Sequence, residues 1–213
     1  RSFVAAYGQD DRVCVFTALR AMIDTVSPVR SAVLLLTDKE EIGSYGNTGM
    51  DSSFFAYTMG EIIARCTGPY SDLLLHRALA NSFALSADVN VGLDPNYSDV
   101  VEKMNTARLG CGVVLTKYTG SRGKSSTSDA HAEVVAVIRR IFNSNGITWQ
   151  TGELGKVDQG GGGTIAHMLA EHGMDVLDCG VPLLGMHSPL EVASKADIYM
   201  AYLGYRAFLN SFE

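Results

Sequence analysis

Short apolar runs alternate with longer segments of helical periodicity along most of this chain, and this alternation limits the folds it can adopt. The runs with strand character are SAVLLLT (31–37), FALSADVN (83–90), GVVLTKY (112–118), ITWQT (147–151) and MDVLDCGV (174–181). The helical segments cover 11–25, 52–66, 70–80, 129–143, 164–172 and 190–211, with Asp129 predicted as the N-cap of the fourth. The pattern predicts an α/β fold, a layered sheet flanked by helices on both faces.

The length, net charge and cysteine spacing of the chain exclude some classes of function and favour others. A chain of 213 residues is enough for one medium domain, and a net charge of −6 argues against a nucleic-acid-binding protein, which would show a basic surface. No apolar run approaches the roughly 20 residues that span a bilayer, so we expect no membrane partner. The four cysteines are widely spaced and form no CxxC pair, which predicts reduced core thiols. We expect a cytoplasmic protein.

Acidic groups and one imidazole follow the predicted strands or open a helix. They are Asp10 at the first helix, Glu40 and Glu41 after SAVLLLT, Asp88 after FALSA, and His187 beyond the strand near residue 178. In α/β folds, polar residues just beyond the carboxyl ends of strands tend to form the site. Carboxylates that converge there repel one another unless a cation lies among them, and such oxygen and nitrogen ligands suit zinc, manganese or cobalt.

The neighbouring Glu40 and Glu41 suggest two roles for two carboxylates. In a loop their side chains need not point the same way, so one can bind a metal while the other faces a metal-activated water, whose pKa falls to about 7. This division predicts a hydrolase without a covalent intermediate. Each group alone is also typical of a solvated loop or a helix cap, so the prediction depends on the combination.

Other motifs match known chemistry only in part. SRGKSS (121–126) lacks the first glycine of a phosphate loop, because position 118 is Tyr. No HExxH or GxSxG occurs, which excludes a helix-borne zincin site and argues against an α/β-hydrolase elbow. DQGGGGTIAH (158–167) either cradles an anion with backbone N–H groups or forms a tight turn that lets backbones approach closely, and we favour the turn.

Six sequence blocks carry a resemblance to a known family. They are YGQDDRVC, DKEEIGSYGNTGM, LSADVN, LTKYTGSRGK, ELGKVDQGGGGT and DCGVPLLGMHSP. In this order they span nearly the whole chain, and they resemble the aspartyl aminopeptidase family of dinuclear metallopeptidases, in particular its bacterial members. The resemblance implies a zinc-exopeptidase-like fold and hydrolysis of N-terminal residues from peptides. A related metallo-carboxypeptidase or deacylase is the alternative, since fold alone does not define the substrate.

The resemblance implies a role for each acidic group and for the imidazole. Asp10 matches the carboxylate that bridges two metals, and Glu40 matches the general base. Glu41 and His187 match ligands of one metal, and Asp88 matches a ligand of the other. The implied cofactors are two divalent metal ions, in the first place zinc, with cobalt or manganese as alternatives.

The resemblance also implies a substrate pocket and an assembly. Lys117 matches a residue that lines the pocket, and the run 160–163, with Gly161 and Gly162 at its centre, matches a loop close to the active site. The implied partners are peptide substrates and, for a full-length parent, further copies of the chain in a tetrahedral dodecamer.

Two parts of the family pattern are missing. The family carries an early His-x-Asp motif and an inserted assembly domain, and none of the five histidines here is followed by x-Asp. Residues 1–213 therefore resemble the C-terminal part of the catalytic domain, with a sheet that is incomplete on its N-terminal side. A fragment of a longer enzyme and a naturally truncated, non-catalytic subunit of the same fold both remain open.

Overall fold

The computed structural model of the protein describes residues 2–156 and 158–212. The strands are β1 Phe3–Ala6, β2 Phe83–Ser86, β3 Asn90–Val91, β4 Val113–Thr116, β5 Tyr118–Ser121, β6 Ser125–Asp129, β7 Trp149–Thr151, β8 Asp175–Gly180, β9 Pro182–Leu184 and β10 Glu191–Ser194. The α-helices are α1 Gln9–Ile23, α2 Phe54–Thr67, α3 Asp72–Ala80, α4 Ala132–Ser144, α5 Ala166–Glu171 and α6 Lys195–Ser211. Two 3₁₀ turns cover Glu40–Ile42 and Pro95–Tyr97.

The central sheet has the strand order β2-β8-β4-β7. β8 pairs in parallel with β2 and antiparallel with β4, and β7 is parallel to β4. β4 is buried along its whole length and β8 along all but its first residue, because helices cover both faces of the sheet. Near-continuous apolar runs such as VVLT are what such doubly covered strands require.

The helices divide between the two faces of this sheet. α1, α4 and α6 contribute to the larger core cluster, in which Phe142 and Ile138 pack with Leu177 of β8. α2, α3 and α5 contribute to a second cluster, in which Leu79 and Leu169 pack with Val176 of β8. Neighbouring residues of β8 point to opposite faces, as the period of two requires. The predicted α/β fold with helices on both faces is confirmed.

A second sheet, of order β1-β10-β9-β3, continues from the ends of β2 and β8. The chain leaves β2 at Ser86 and enters β3 at Asn90, so Asp88 lies in the short crossing between the two sheets. A Cβ on Gly180, the last residue of β8, would lie 1.6 Å from the Asp88 carbonyl oxygen. Glycine at 180 is therefore necessary for the close approach that holds Asp88 at the end of the sheet.

The predicted strand at residues 31–37 is wrong. Within residues 2–156 and 158–212 no strand pairs with it, and it lies outside the sheets. Leu35 packs on the second core cluster, but Val33 and Leu36 remain 51% and 49% exposed. An apolar run forms a strand only where a neighbour supplies backbone hydrogen bonds, and the run itself does not encode that neighbour.

Two helix boundaries and part of the cysteine prediction also change. Residues 191–194, predicted as helix, form β10, because they pair with β1 and β9, and α6 begins only at Lys195. Asp129 is the last residue of β6 rather than an N-cap, and His131 occupies that position before α4. Of the four free cysteines two are buried, whereas Cys66 and Cys111 are exposed and are not core thiols.

None of the helices in the described part of the chain is long and apolar enough to cross a bilayer.

Candidate metal centre

Three of the predicted ligands meet at one point of the second sheet. The His187 Nε2 atom lies 2.9 Å from Asp10 Oδ2 and 3.2 Å from Glu41 Oε1. His187 follows β9, Asp10 lies just beyond β1, and Glu41 lies in the 3₁₀ turn Glu40–Ile42. The Asp10 side chain is only 9% exposed, whereas those of His187 and Glu41 are 62% and 58% exposed. The cluster is therefore buried at Asp10 and open to solvent at His187 and Glu41.

A second group of carboxylates shares Asp10 with the first. Oxygen atoms of Asp10, Asp11 and Asp88 all lie within 4.8 Å of one another, as do ligand atoms of the Asp10, Glu41 and His187 group. Asp10 and Asp11 have non-helical backbone angles at the start of α1, so they do not act as a helical first turn. The Asp10 carboxylate is thus common to two adjacent three-residue sets.

The crowding of these carboxylates disfavours their ionised forms. Burial and the nearby Glu41 raise the pKa of Asp10 to about 6, although His187 opposes part of the shift. Burial, with smaller contributions from Asp10 and Glu40, raises the pKa of Asp11 to about 8. Burial and then the charges of Asp11 and Asp10 raise the pKa of Asp88 well above its usual range. Each shift has the direction expected where like charges share a poorly solvated space.

Glu40 lies beside the cluster without being a member of either three-residue set. The 3₁₀ turn that carries it is closed by hydrogen bonds from Gly43 N to Glu40 O, 2.8 Å, and from Ser44 N to Lys39 O, 2.8 Å. Burial and the adjacent Glu41 raise the pKa of Glu40, while His187 and His167 oppose the rise. The half-buried carboxylate of Glu40 is therefore close enough to Glu41 and His187 for their charges to influence its pKa.

Lys117 and the glycine run lie at a hairpin rather than within the carboxylate cluster. The Lys117 ammonium forms an ion pair with Asp129 across the β5–β6 hairpin. The backbone of the run hydrogen-bonds to the hairpin, from Gly120 N to Gly162 O, 2.9 Å. Gly161 has φ +90°, and a Cβ there would lie 2.5 Å from Gly120 O. The preferred interpretation of the run, a turn with close backbone approach, agrees with this packing.

Two residues at the centre were missed by the sequence analysis. Asp11 has no role in the sequence-based prediction, which takes only Asp10 at the start of the first helix, although Asp11 belongs to the second carboxylate set. Glu191 was assigned to a helix, yet its buried carboxylate contacts the segments of Asp10 and His187. The adjacency of Asp11 to Asp10 was an available signal, whereas nothing in the local sequence marks Glu191 as buried.

The donor set fits a divalent cation. Carboxylate oxygens with one imidazole nitrogen are ligands of zinc and of similar divalent ions. Among the residues that the structure describes, Asp11 Oδ1 is buried and has no hydrogen-bond partner, so a nearby cation would satisfy it. The fold and this cluster define an α/β protein with a candidate metal centre, to which Asp10 and His187 come from segments after strands and Glu41 from a 3₁₀ turn.

The chain belongs to the M18 family of aminopeptidases. A family model described as aminopeptidase I zinc metalloprotease (M18) matches residues 1–209. A probable M18 family aminopeptidase 1 of Clostridium acetobutylicum is 55% identical over 211 residues, which are 99% of this chain and 45% of that protein.

Solved structures agree with this assignment. The crystal structure of an M18 aminopeptidase from Thermotoga maritima matches with a TM-score of 0.95 and 48% identity, over 99% of this chain and 47% of that one. The mApe1 dodecamer of S. cerevisiae matches with a TM-score of 0.79 and 26% identity, over 97% of this chain and 45% of that one. The chain spans about half the length of the curated relatives it matches.

Proposed function

We propose that this protein is a metal-dependent aminopeptidase that removes N-terminal residues from peptides. The observation that carries the proposal is the pair of three-residue ligand sets that share Asp10, with the Glu40 carboxylate beside them and in neither set. Membership of a zinc metalloprotease family supports the metal and the reaction class. Relatives that are about twice as long support the proposal that residues 1–213 are part of a longer chain, and the sequence resemblance places them in the C-terminal part of the catalytic domain.

The ligand sets suggest how the residues would hold two divalent ions. Asp10 would contact both ions, Glu41 and His187 would hold one, and Asp88 would hold the other. Zinc is the best-supported element, through the description of the family. When bound, the ions supply positive charge that polarises the scissile carbonyl and acidifies a water molecule. Asp11, whose buried oxygen lacks a partner among the described residues, is an additional candidate ligand.

Glu40 is proposed as the general base. As the oxygen of water adds to the scissile carbonyl carbon, Glu40 accepts the proton; as the C–N bond breaks, it donates that proton to the leaving amine. A base of this kind works best when its pKa lies near the operating pH, and burial raises the pKa of Glu40 in that direction. Its neighbour Glu41 is proposed as a metal ligand, so the two adjacent carboxylates have different roles, one as base and one as ligand.

The substrate would extend towards the β5–β6 hairpin. Lys117, Gly161 and Gly162 lie there and are proposed to line the pocket. The support is that the glycine run packs directly on the hairpin that carries Lys117, so the three residues belong to one surface.

The test is Glu40→Gln in the complete gene product, assayed with peptides and by zinc titration. We expect kcat to fall about 10²- to 10⁴-fold while zinc binding is retained, because the amide cannot accept the proton. Glu61→Gln is the matched control, since Glu61 is exposed on α2 and, among the described residues, forms an ion pair with Arg65 alone. Normal turnover by Glu40→Gln would refute the assignment. Release of residues from the carboxyl end would favour a carboxypeptidase instead.

Assembly and location are further parts of the proposal. The dodecameric relative supports a homo-oligomer, which sedimentation analysis of the complete gene product would test. The four free cysteines support a reducing compartment such as the cytoplasm.

A further inference from the structure

Glu191 is a charged residue that the fold buries almost completely, with 2% of it exposed. It is the first residue of β10 and lies next to β1, where it is registered with Ala6. A buried carboxylate is costly unless its oxygens are hydrogen-bonded. Its partners therefore indicate what the carboxylate does.

The two oxygens of Glu191 contact the two chain segments that carry metal ligands. Oε2 accepts hydrogen bonds from the backbone N–H groups of Gln9, 2.6 Å, and Asp10, 3.1 Å. Oε1 accepts one from the backbone N–H of His187, 2.9 Å. One side chain thus bridges Asp10 and His187, which are far apart in sequence but adjacent at the centre.

The backbone of Glu191 is itself held in place. The Gln9 side chain donates from Nε2 to the Glu191 carbonyl oxygen, 2.6 Å, and to Val4 O, 3.2 Å. The Glu191 carboxylate in turn accepts the Gln9 N–H. This reciprocal pair connects β10 to the turn between β1 and α1, so the carboxylate cannot move independently of the Asp10 segment.

The conformation of His187 gives a second reason for the contact. His187 has φ 64°, a left-handed conformation that is unfavourable for a residue with a Cβ. Such a conformation persists only when surrounding contacts hold it. The hydrogen bond from His187 N to Glu191 Oε1 is one such contact, and it helps to direct the imidazole towards Asp10 and Glu41.

We propose that Glu191 is a positioning residue that sets the separation of Asp10 and His187, and through it the affinity of the metal site that they share with Glu41. The inference rests on the proposed function, because it takes these three residues as ligands. Outer contacts of this kind typically change metal affinity about 10- to 100-fold when they are removed.

The experiment compares Glu191→Gln with Asp197→Asn in the complete gene product. Asp197 is a matched control, since it is fully buried and its carboxylate also accepts backbone N–H groups, from Gly110 and Gly112 at 2.7 Å each. In both variants an NH₂ group replaces an acceptor that faces a backbone N–H, so both lose thermal stability. Of these two carboxylates, only that of Glu191 accepts hydrogen bonds from the segments that carry the proposed metal ligands Asp10 and His187. We therefore expect Glu191→Gln alone to weaken zinc affinity at the His187 site, by about 10- to 100-fold in chelator competition.

The results distinguish failure of the proposed metal centre from failure of the proposed role of Glu191. If the unsubstituted protein binds no zinc, or if His187→Ala leaves its binding unchanged, the proposed metal centre fails. If that protein binds zinc and Glu191→Gln binds as tightly as Asp197→Asn, the positioning role is overturned. Should Glu191→Gln not fold, Glu191→Asp keeps both acceptors and shortens the reach by one methylene. Its cobalt(II) absorption spectrum should then differ from that of the unsubstituted protein, and an identical spectrum would overturn the inference.

Discussion

Zinc binding should release protons at neutral pH, because the ligands of the metal-free centre are partly protonated. With a pKa of about 8, Asp11 is protonated in about nine-tenths of molecules at pH 7, and Asp10, with a pKa of about 6, in about one-tenth. Ions that bind these carboxylates must displace those protons. Filling the centre should therefore release about one proton from this pair, and Asp88, whose pKa is also raised, adds to the number.

The sign of the pH dependence follows from the same shifts. Affinity should increase from pH 6 to pH 8, by about tenfold per pH unit for each proton displaced. Calorimetric titration of the chelator-treated protein, in buffers with different protonation enthalpies, gives the number of protons directly. Asp11→Asn should lower this number by about one at pH 7, whereas Asp197→Asn, outside the centre, should leave it unchanged. No proton release, or an affinity independent of pH over this range, would refute the assignment of the acidic cluster to metal.

Two further predictions concern the glycine run and a buried carboxyl group. Gly161→Ala should destabilise the protein by more than about 1 kcal/mol in thermal denaturation, since φ is +90° and the added Cβ would lie 2.5 Å from Gly120 O. Gly162→Ala is its control, because the nearest atom to its Cβ is 3.8 Å away; equal effects would contradict the reasoning. Burial raises the pKa of Asp178 from 3.8 to about 6, so folding favours its protonated form and stability declines as pH rises through that window. Asp178→Asn should remove about 2 kcal/mol of that decline, measured by urea unfolding at pH 4 and pH 7, and a constant difference between variant and parent would contradict it.

Much of the fold was predictable because its strands are covered on both faces. The runs GVVLTKY and MDVLDCGV are mainly apolar, and they form β4 and β8 at the middle of the central sheet. The helix α4, which packs on this sheet, shows a clear period of 3.6 with its buried Ile138, Ile141 and Phe142. In these segments the residues that favour a strand or helix locally are also the apolar residues that the buried environment requires.

The hairpin β5–β6 and the strand β10 were not predicted, for a related reason. The residues of the hairpin strand Ser125–Asp129 are polar and mostly exposed or half-buried, so no strong periodicity distinguishes them from a loop. β10 exists because β1 and β9 supply its backbone partners, and those strands lie elsewhere in the sequence. The converse holds for residues 31–37, where apolar character is present and, in the described chain, a partner strand is not.

The sequence by itself determined the α/β class, the family and the residue types at the centre, because these depend on side-chain chemistry and local period. Only the tertiary structure decided that Asp10, Glu41 and His187 meet, that Asp11 joins Asp88, and that the carboxylate of Glu191 lies beneath them. Their proximity arises from strand pairing between segments more than a hundred residues apart, as in β1 with β10. Burial then changes the same carboxyl groups from ordinary surface acids into a cluster with raised pKa values.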